Sequence, residues 1–257
     1  MAEIIIIGSS SGVPSPDRAN ASFLLNAENE LYQFDAGEGF SSSILRQKID
    51  HSDIGTIFLT HGHADHFTGL FLEIQMMHLA GRSRQLSIYM PEELVEPVKK
   101  FLLTAYMFPE RLGFEIIFNP VKPDPVFRDG NITVYARANS HLKQYEQDIK
   151  ENAYDNKMQS YSFVIITNGA KIIYSGDIGS LSDYADILDD CGLLITEGLH
   201  LDLERLFELS AKSALKKLVL THLSSQMYAD PEPIKTLAAK YGVTDLIIAH
   251  DGLRFTV

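Results

Sequence analysis

A single cysteine, Cys191, is the only thiol in the 257 residues, which excludes an internal disulfide and any zinc site built on cysteine. Long apolar runs are missing too. No window holds eighteen consecutive apolar residues, and the opening Met1-Ala2-Glu3-Ile4-Ile5-Ile6-Ile7-Gly8 has neither a basic segment nor a small-residue cleavage site. No membrane span or secretory leader is therefore expected, and a cytoplasmic location follows as the expectation. Positive charge is scarce, with 22 Lys and Arg against 34 Asp and Glu and a net charge of −12. Affinity for a long nucleic acid comes from clustered Lys and Arg, so a large polyanionic partner is disfavoured. A local cationic metal site could still draw in one phosphate whatever the global charge.

What is present describes an ordinary globular chain, 45% apolar and 22% charged, long enough for one large α/β domain spanning residues 1–257. The β-branched run Ile4–Ile7 stops at Gly8, and Ser22–Asn26 and Leu31–Asp35 read as two strands joined by the polar turn 27–30. Helical spacing over Phe40–Ile49, a buried strand over Thr56–Thr60 and a strong helix over Phe67–Ala80 ended by Gly81 follow. Leu86–Met90 is a strand, and Pro91 opens a helix. Strands over Phe114–Phe118, Pro125–Phe127, Ile132–Ala138, Tyr161–Thr167 and Lys171–Ser175 are punctuated by the turns Asp129-Gly130-Asn131 and Asn168-Gly169. Beyond them, strands over Leu193–Thr196, Leu218–Thr221 and Asp245–Ala249 alternate with helices over Leu203–Ala214 and Pro231–Tyr241, and strand-helix alternation is expected to the end. Each half runs from antiparallel hairpins into strand-helix units, which predicts two facing sheets with helices outside both, a four-layer α/β/β/α sandwich. The polar run Lys143–Gln159 reads as a mobile loop.

Thr60-His61-Gly62-His63-Ala64-Asp65-His66 packs three imidazoles and a carboxylate into six positions between a buried strand and a helix. A strand end followed by a turn can send alternate side chains to opposite sides of one pocket, so His61 and His63 can face one metal while Asp65 and His66 face a second. Metals need more ligands than one loop supplies. His141, Asp177, His222 and His250 each stand just past another predicted strand, the edge where layered α/β folds build their sites. His51 and His78 lie in a helix-to-strand connection and on a helix face and read as structural.

With these motifs the sequence resembles the metallo-β-lactamase superfamily, and within it the branch typified by ribonuclease Z, the tRNA 3′-processing endonuclease. The resemblance runs through Gly8-Ser9-Ser10-Ser11-Gly12-Val13-Pro14 with Arg18, Asn20 and Ser22, through Phe34-Asp35-Ala36-Gly37-Glu38-Gly39, and through the His-rich loop with Gly69-Leu70. It continues in Ser175-Gly176-Asp177, Leu220-Thr221-His222-Leu223-Ser224-Ser225 and Ala249-His250-Asp251. It implies His61, His63 and His141 on one metal, Asp65, His66 and His222 on the other, and Asp177 bridging both. Asp35 would orient a ligating histidine or simply form the turn before Gly37. Two zinc ions are the expected cofactors, with manganese or iron as alternatives for such ligands. Bridged metals about 3.5–4 Å apart would supply a shared hydroxide, orient a phosphodiester or ester and stabilise the departing oxygen. Asp65 would hold the attacking water. Glu197 and His200 either form the pair that protonates the leaving group or cap the following helix. Asp251 would brace the pocket, with His250 near the site but not a ligand. A homodimer is also implied by the resemblance.

Two departures bear on substrate. Bacterial ribonuclease Z carries a Gly- and Pro-rich tRNA-gripping arm between the positions matching His141 and Asp177, yet here these are 36 positions apart and the run 143–159 holds neither Gly nor Pro. The Ser-Ser-Arg-Tyr segment usual after the His222 position reads Ser224-Ser225-Gln226-Met227-Tyr228, losing a basic residue. Armless relatives that open small cyclic phosphates carry a Cys-rich structural zinc, which this chain cannot build. The expectation is a binuclear hydrolase of small phosphodiesters or related esters, with tRNA 3′ cleavage as the disfavoured alternative. A redox enzyme on the same fold is the alternative of another class.

Overall fold

The computed structural model describes residues 2–122 and 125–257. Fourteen strands among them form two seven-stranded sheets. The first holds β1 (Ala2–Gly8), β2 (Ser22–Ala27), β3 (Glu30–Phe34), β4 (Ile54–Phe58), β5 (Leu86–Met90) and β6 (Ile116–Pro120). The second holds β7 (Pro125–Arg128), β8 (Ile132–Ala138), β9 (Tyr161–Thr167), β10 (Ala170–Tyr174), β11 (Leu193–Glu197), β12 (Leu218–Thr221) and β13 (Leu246–Ile248). Within each sheet antiparallel hairpins give way to parallel strands, β3 to β6 in the first and β10 to β13 in the second. The helices are α1 (Phe40–Arg46), α2 (Ala64–Phe67), α3 (Gly69–Leu79), α4 (Glu92–Thr104), α5 (Pro109–Leu112), α6 (Glu146–Asn152), α7 (Leu203–Lys212), α8 (Ser225–Ala229) and α9 (Glu232–Lys240).

Three separate cores show the layering. One joins inward residues of both sheets, including Phe23, Phe34, Phe58, Phe163, Ile195 and Val219. A second packs the outer face of the first sheet, such as Ile57 and Ile88, against Phe40, Ile74 and Val98 of α1, α3 and α4. A third packs Leu194 and Leu220 of the second sheet against Leu206 and Ile234 of α7 and α9. Helix, sheet, sheet and helix stack in that order, as strands alternating with amphipathic helices demand. Phe23, Phe34, Phe58 and Tyr89 form a stacked row across β2 to β5 with ring centroids 4.9 to 5.1 Å apart. Phe163 and Tyr174 meet that row edge-on from the opposite sheet, the arrangement that ring quadrupoles prefer.

Three expectations need correction. The helix read as Phe67–Ala80 is two helices. A side chain at Gly69 would place its Cβ 2.1 Å from the Gly37 carbonyl oxygen, so the chain there must be bare, and the Gly69 N–H leaves the helical pattern to donate to the Ala36 carbonyl at 2.8 Å. The alternation does not run to the end, because a last strand, β14 (Arg254–Thr256), crosses back to pair antiparallel with β1 at the edge of the first sheet. Finally, 143–159 is no loose loop. It contains α6, and the Glu93 carboxylate accepts from the backbone N–H groups of Lys157 at 2.6 Å and Gln159 at 2.7 Å, fastening the far end of the run to the first turn of α4.

Candidate metal centre

The parallel strands of both sheets end on one edge, and the chain turns there place the polar residues. His61 and His63 follow β4, His141 follows β8, Asp177 follows β10, and His222 follows β12. The Tyr161 N–H of β9 donates to the Thr60 carbonyl at 3.0 Å and the His222 N–H to the Ser9 carbonyl at 3.0 Å, so backbone bonds between the sheets lock the edge. Two donor groups that share Asp177 result, His61, His63, His141 and Asp177 in one, Asp65, His66, Asp177 and His222 in the other, with the donor atoms of each within 4.8 Å of one another, and Glu197, His200 and His222 make a further cluster of the same tightness beside them. Asp177 Oδ2 lies 3.7 Å from His141 Nε2, while Oδ1 lies 3.3 Å from His66 Nε2 and 3.6 Å from His222 Nε2. The one carboxylate thus turns an oxygen to each group.

These side chains fit a divalent cation. Two donors that each stand about 2.0–2.1 Å from one tetrahedral zinc are about 3.3 Å apart. His63 Nδ1 and His141 Nε2 are 3.1 Å apart, His222 Nε2 and Asp65 Oδ2 3.0 Å, and His66 Nε2 and Asp65 Oδ2 3.6 Å. His61 Nε2, His66 Nε2 and Asp177 Oδ1 are buried without a hydrogen-bond partner among the described residues, a costly state unless a cation engages them. Burial, then the neighbouring His66, pushes the His61 imidazole well below its usual pKa, and burial lowers His141 to about 4. Both rings are therefore held neutral, the form that ligates a metal. His66 goes the other way. Burial opposes its charge, but the Asp177 and Asp35 carboxylates outweigh that and raise its affinity for a positive charge. Burial likewise works against Asp177, yet His66 and His222 hold its carboxyl well below the carboxylate range.

Asp35 has a definite place. Its backbone is left-handed at φ 57°, which turns the side chain back under the His-rich loop. Its Oδ2 is 2.8 Å from His66 Nδ1 and accepts from the Tyr174 hydroxyl at 2.6 Å, and its Oδ1 accepts from the Thr60 N–H at 2.8 Å. An Nδ1–H directed at Asp35 leaves His66 Nε2 for a metal. Thr60 Oγ1 sits 2.9 Å from His61 Nδ1 and orients that ring in the same way. Tyr174 was not singled out in the sequence, and its only signal there is its position directly before Ser175-Gly176-Asp177. Asp183 was also missed. Its carboxylate accepts from Ser140 N and Oγ and from Gly179 N at 3.0, 2.8 and 3.2 Å, tying the loop before His141 to the loop after Asp177.

Glu197 and His200 do meet. His200 Nδ1 is 2.8 Å from Glu197 Oε2, Glu197 is buried and His200 half exposed, and the hydrogen bond to Glu197 raises the imidazole pKa. The His200 ring lies 5.7 Å from that of His141 and 5.8 Å from that of His222, between the two donor groups. Helix capping falls to Asp202 instead, which accepts from the Glu204 and Arg205 N–H groups at the start of α7. His250 belongs to neither donor group and stands exposed with Nδ1 near the Asp251 carbonyl. Asp251 accepts from Ser9 N and Oγ and from Ala19 N, bracing the loop that passes Asp65. His78 bonds the Leu112 carbonyl, away from the site.

Among curated proteins, ribonuclease Z of Methanosarcina mazei is 25% identical over 304 aligned positions, covering 100% of this chain and 98% of the relative. Among solved structures, the short form of human tRNase Z superposes with a TM-score of 0.75 at 21% identity, over 99% of this chain and 98% of that one. The metallo-β-lactamase fold protein YhfI of Bacillus subtilis superposes with a TM-score of 0.77 at 17% identity, over 99% and 98%. These likenesses, the two facing sheets and the His and Asp cluster make the chain a ribonuclease Z-like metallo-β-lactamase-fold protein with the divalent-metal site of a hydrolase. Residues 2–241 match the family model described as Anti-Pycsar protein Apyc1, and the chain belongs to that family.

Proposed function

We propose that the chain hydrolyses small phosphodiesters and related esters with two zinc ions, one held by His61, His63 and His141, the other by Asp65, His66 and His222, and both by Asp177. The observation that carries this reading is the Asp177 carboxylate with one oxygen turned to each donor group. Such a metal pair supplies an activated water, orients the ester and stabilises the departing oxygen. The protein's own groups do the rest. Asp65 is engaged only through Oδ2 among the described residues, so its other oxygen can orient the attacking water and take its proton. His200, bonded through Nδ1 to Glu197, which raises its pKa, is half exposed beside the centre and can give a proton to the leaving oxygen. Glu197 also accepts from the His200 and Ile178 N–H groups, which keeps the pair in register with the Asp177 turn.

The small-substrate reading rests on what surrounds the site. The net charge is −12, and the segment between His141 and β9 holds the one short α-helix α6, with Lys157 and Gln159 tied to Glu93 of α4. A large substrate needs contacts far from the scissile bond, and a tRNA has no evident source of them here. The second reading, tRNA 3′ cleavage, is favoured by the full-length likeness to ribonuclease Z. A cytoplasmic single-domain protein, and a homodimer by the resemblance to ribonuclease Z, complete the proposal. The test compares the metal-loaded protein on bis(p-nitrophenyl) phosphate, a cyclic nucleotide and a precursor tRNA at equal concentration. Faster turnover of the small diesters, with weak and salt-sensitive tRNA binding, is expected. Efficient 3′ cleavage of the tRNA at physiological salt with little action on small diesters would overturn it.

A further inference from the structure

A cavity of about 400 Å³ opens against the metal centre on the His63 side. One wall is the His63 ring itself, met edge-on by Tyr145 at 5.8 Å between centroids. Leu94 of α4, Leu142, Ile149 and Tyr154 complete its lining. Gly62 lets Leu94 close over the floor, since a Cβ there would stand 2.9 Å from a Leu94 methyl. The walls are not loose surface, because the Glu93 carboxylate fixes 157–159 to α4. Tyr145 and Tyr154 nevertheless stay 40% and 59% exposed, so two large, partly exposed rings border a cavity beside reactive groups.

The charge of the lining decides what fits. None of the lining side chains is cationic, and the two that are charged, Glu93 and Asp148, are acidic. A second phosphate of an extended polynucleotide would be repelled there, whereas a neutral ring would bury its faces on Leu94, Leu142 and Ile149 and turn a polar edge to the rim. We propose that this cavity is the specificity subsite for a neutral aromatic group carried by the phosphodiester, with Leu94, Leu142, Tyr145 and Ile149 as its determinants. The assignment rests on the phosphodiesterase reading above. It accounts for how a small substrate is oriented without a binding arm, because the ring is anchored one side chain away from the group that engages the phosphate.

The test compares p-nitrophenyl phenyl phosphate with p-nitrophenyl methyl phosphate, which share a leaving group and differ in the retained arm, each rate divided by its uncatalysed hydroxide rate. The metal-loaded protein is expected to prefer the phenyl diester by about 10- to 100-fold in kcat/KM, the gain from burying one ring, and Leu142→Trp, which fills the cavity, should collapse that ratio. Comparable turnover of both diesters would overturn the subsite and leave the hydrolase reading standing. If neither diester turns over, the hydrolase reading fails. Calorimetric binding of phenylphosphonate against methylphosphonate then still reads the cavity without chemistry or a variant, and equal affinities would overturn it.

Discussion

Glu73 offers a test of the fold beneath the site that does not depend on catalysis. It lies on α3 with no exposed surface, Oε2 accepting from Gln33 Nε2 at 3.0 Å and Oε1 without a partner among the described residues. The same Gln33 amide donates to the Asp35 carbonyl, so the carboxyl sits directly behind the residue that orients His66. Burial raises its pKa from 4.5 to about 8. The folded protein therefore keeps this proton up to about pH 8, while the unfolded chain releases it near pH 4.5. Between those values the unfolded state binds fewer protons and stability falls as pH rises. At about 1.4 kcal/mol per unit, the loss reaches roughly 3 kcal/mol by pH 7. Glu73→Gln has the shape of the protonated acid and cannot ionise. It should match the native protein near pH 4.5 and exceed it by about 3 kcal/mol at pH 7. Urea unfolding of both proteins at identical metal loading, from pH 4.5 to 8, reads that gap with the metal's own pH dependence cancelling. A gap that stays constant with pH, or a variant that is weaker throughout, would show that Glu73 is ionised in the fold against Arg82 and refute the reasoning.

Asp35→Asn keeps a residue that tolerates the left-handed backbone but removes the negative charge facing His66 Nδ1; zinc affinity measured by chelator competition should fall about 10- to 100-fold, and the metal-free protein should melt lower because an amide NH2 replaces a buried acceptor. Asp177→Ala should lose most of its metal by elemental analysis and His250→Ala little; equal losses would contradict the proposed ligand set. His200→Ala should slow diesters with basic leaving groups by roughly 10²–10⁴-fold while barely touching an activated nitrophenyl ester and leaving metal content alone. Equal slowing of both substrates would place His200 in a binding role instead.

Much of the architecture was legible because its signals are local. The Ile4–Ile7 run, the alternation through Ile132–Ala138 and the turn at Asn168-Gly169 each prescribe a conformation within a few residues, and the observed strands follow them. Errors fell where a distant group intervened. The backbone of Gly37, some thirty residues back, forces the break at Gly69. The Glu93 carboxylate orders a polar run more than sixty residues away. The three-residue β14 is too short to carry a periodicity of its own and exists because β1 leaves an open edge for it.

The sequence by itself determined which side chains can do the chemistry, since no other part of the chain concentrates imidazoles and carboxylates as 60–66 does, and since each further donor stands just past a strand whose pattern is local. Tertiary structure alone decided how they are shared. Asp177 serves both donor groups, Tyr174 reaches across the sheets to Asp35, and Tyr145 closes a cavity against His63. At the same centre His63 meets His141 and Asp65 meets His222 over separations of 78 and 157 positions. Such separations carry no signal along the chain, and only the stacking of two sheets with their strand ends on one edge brings the donors within bonding reach.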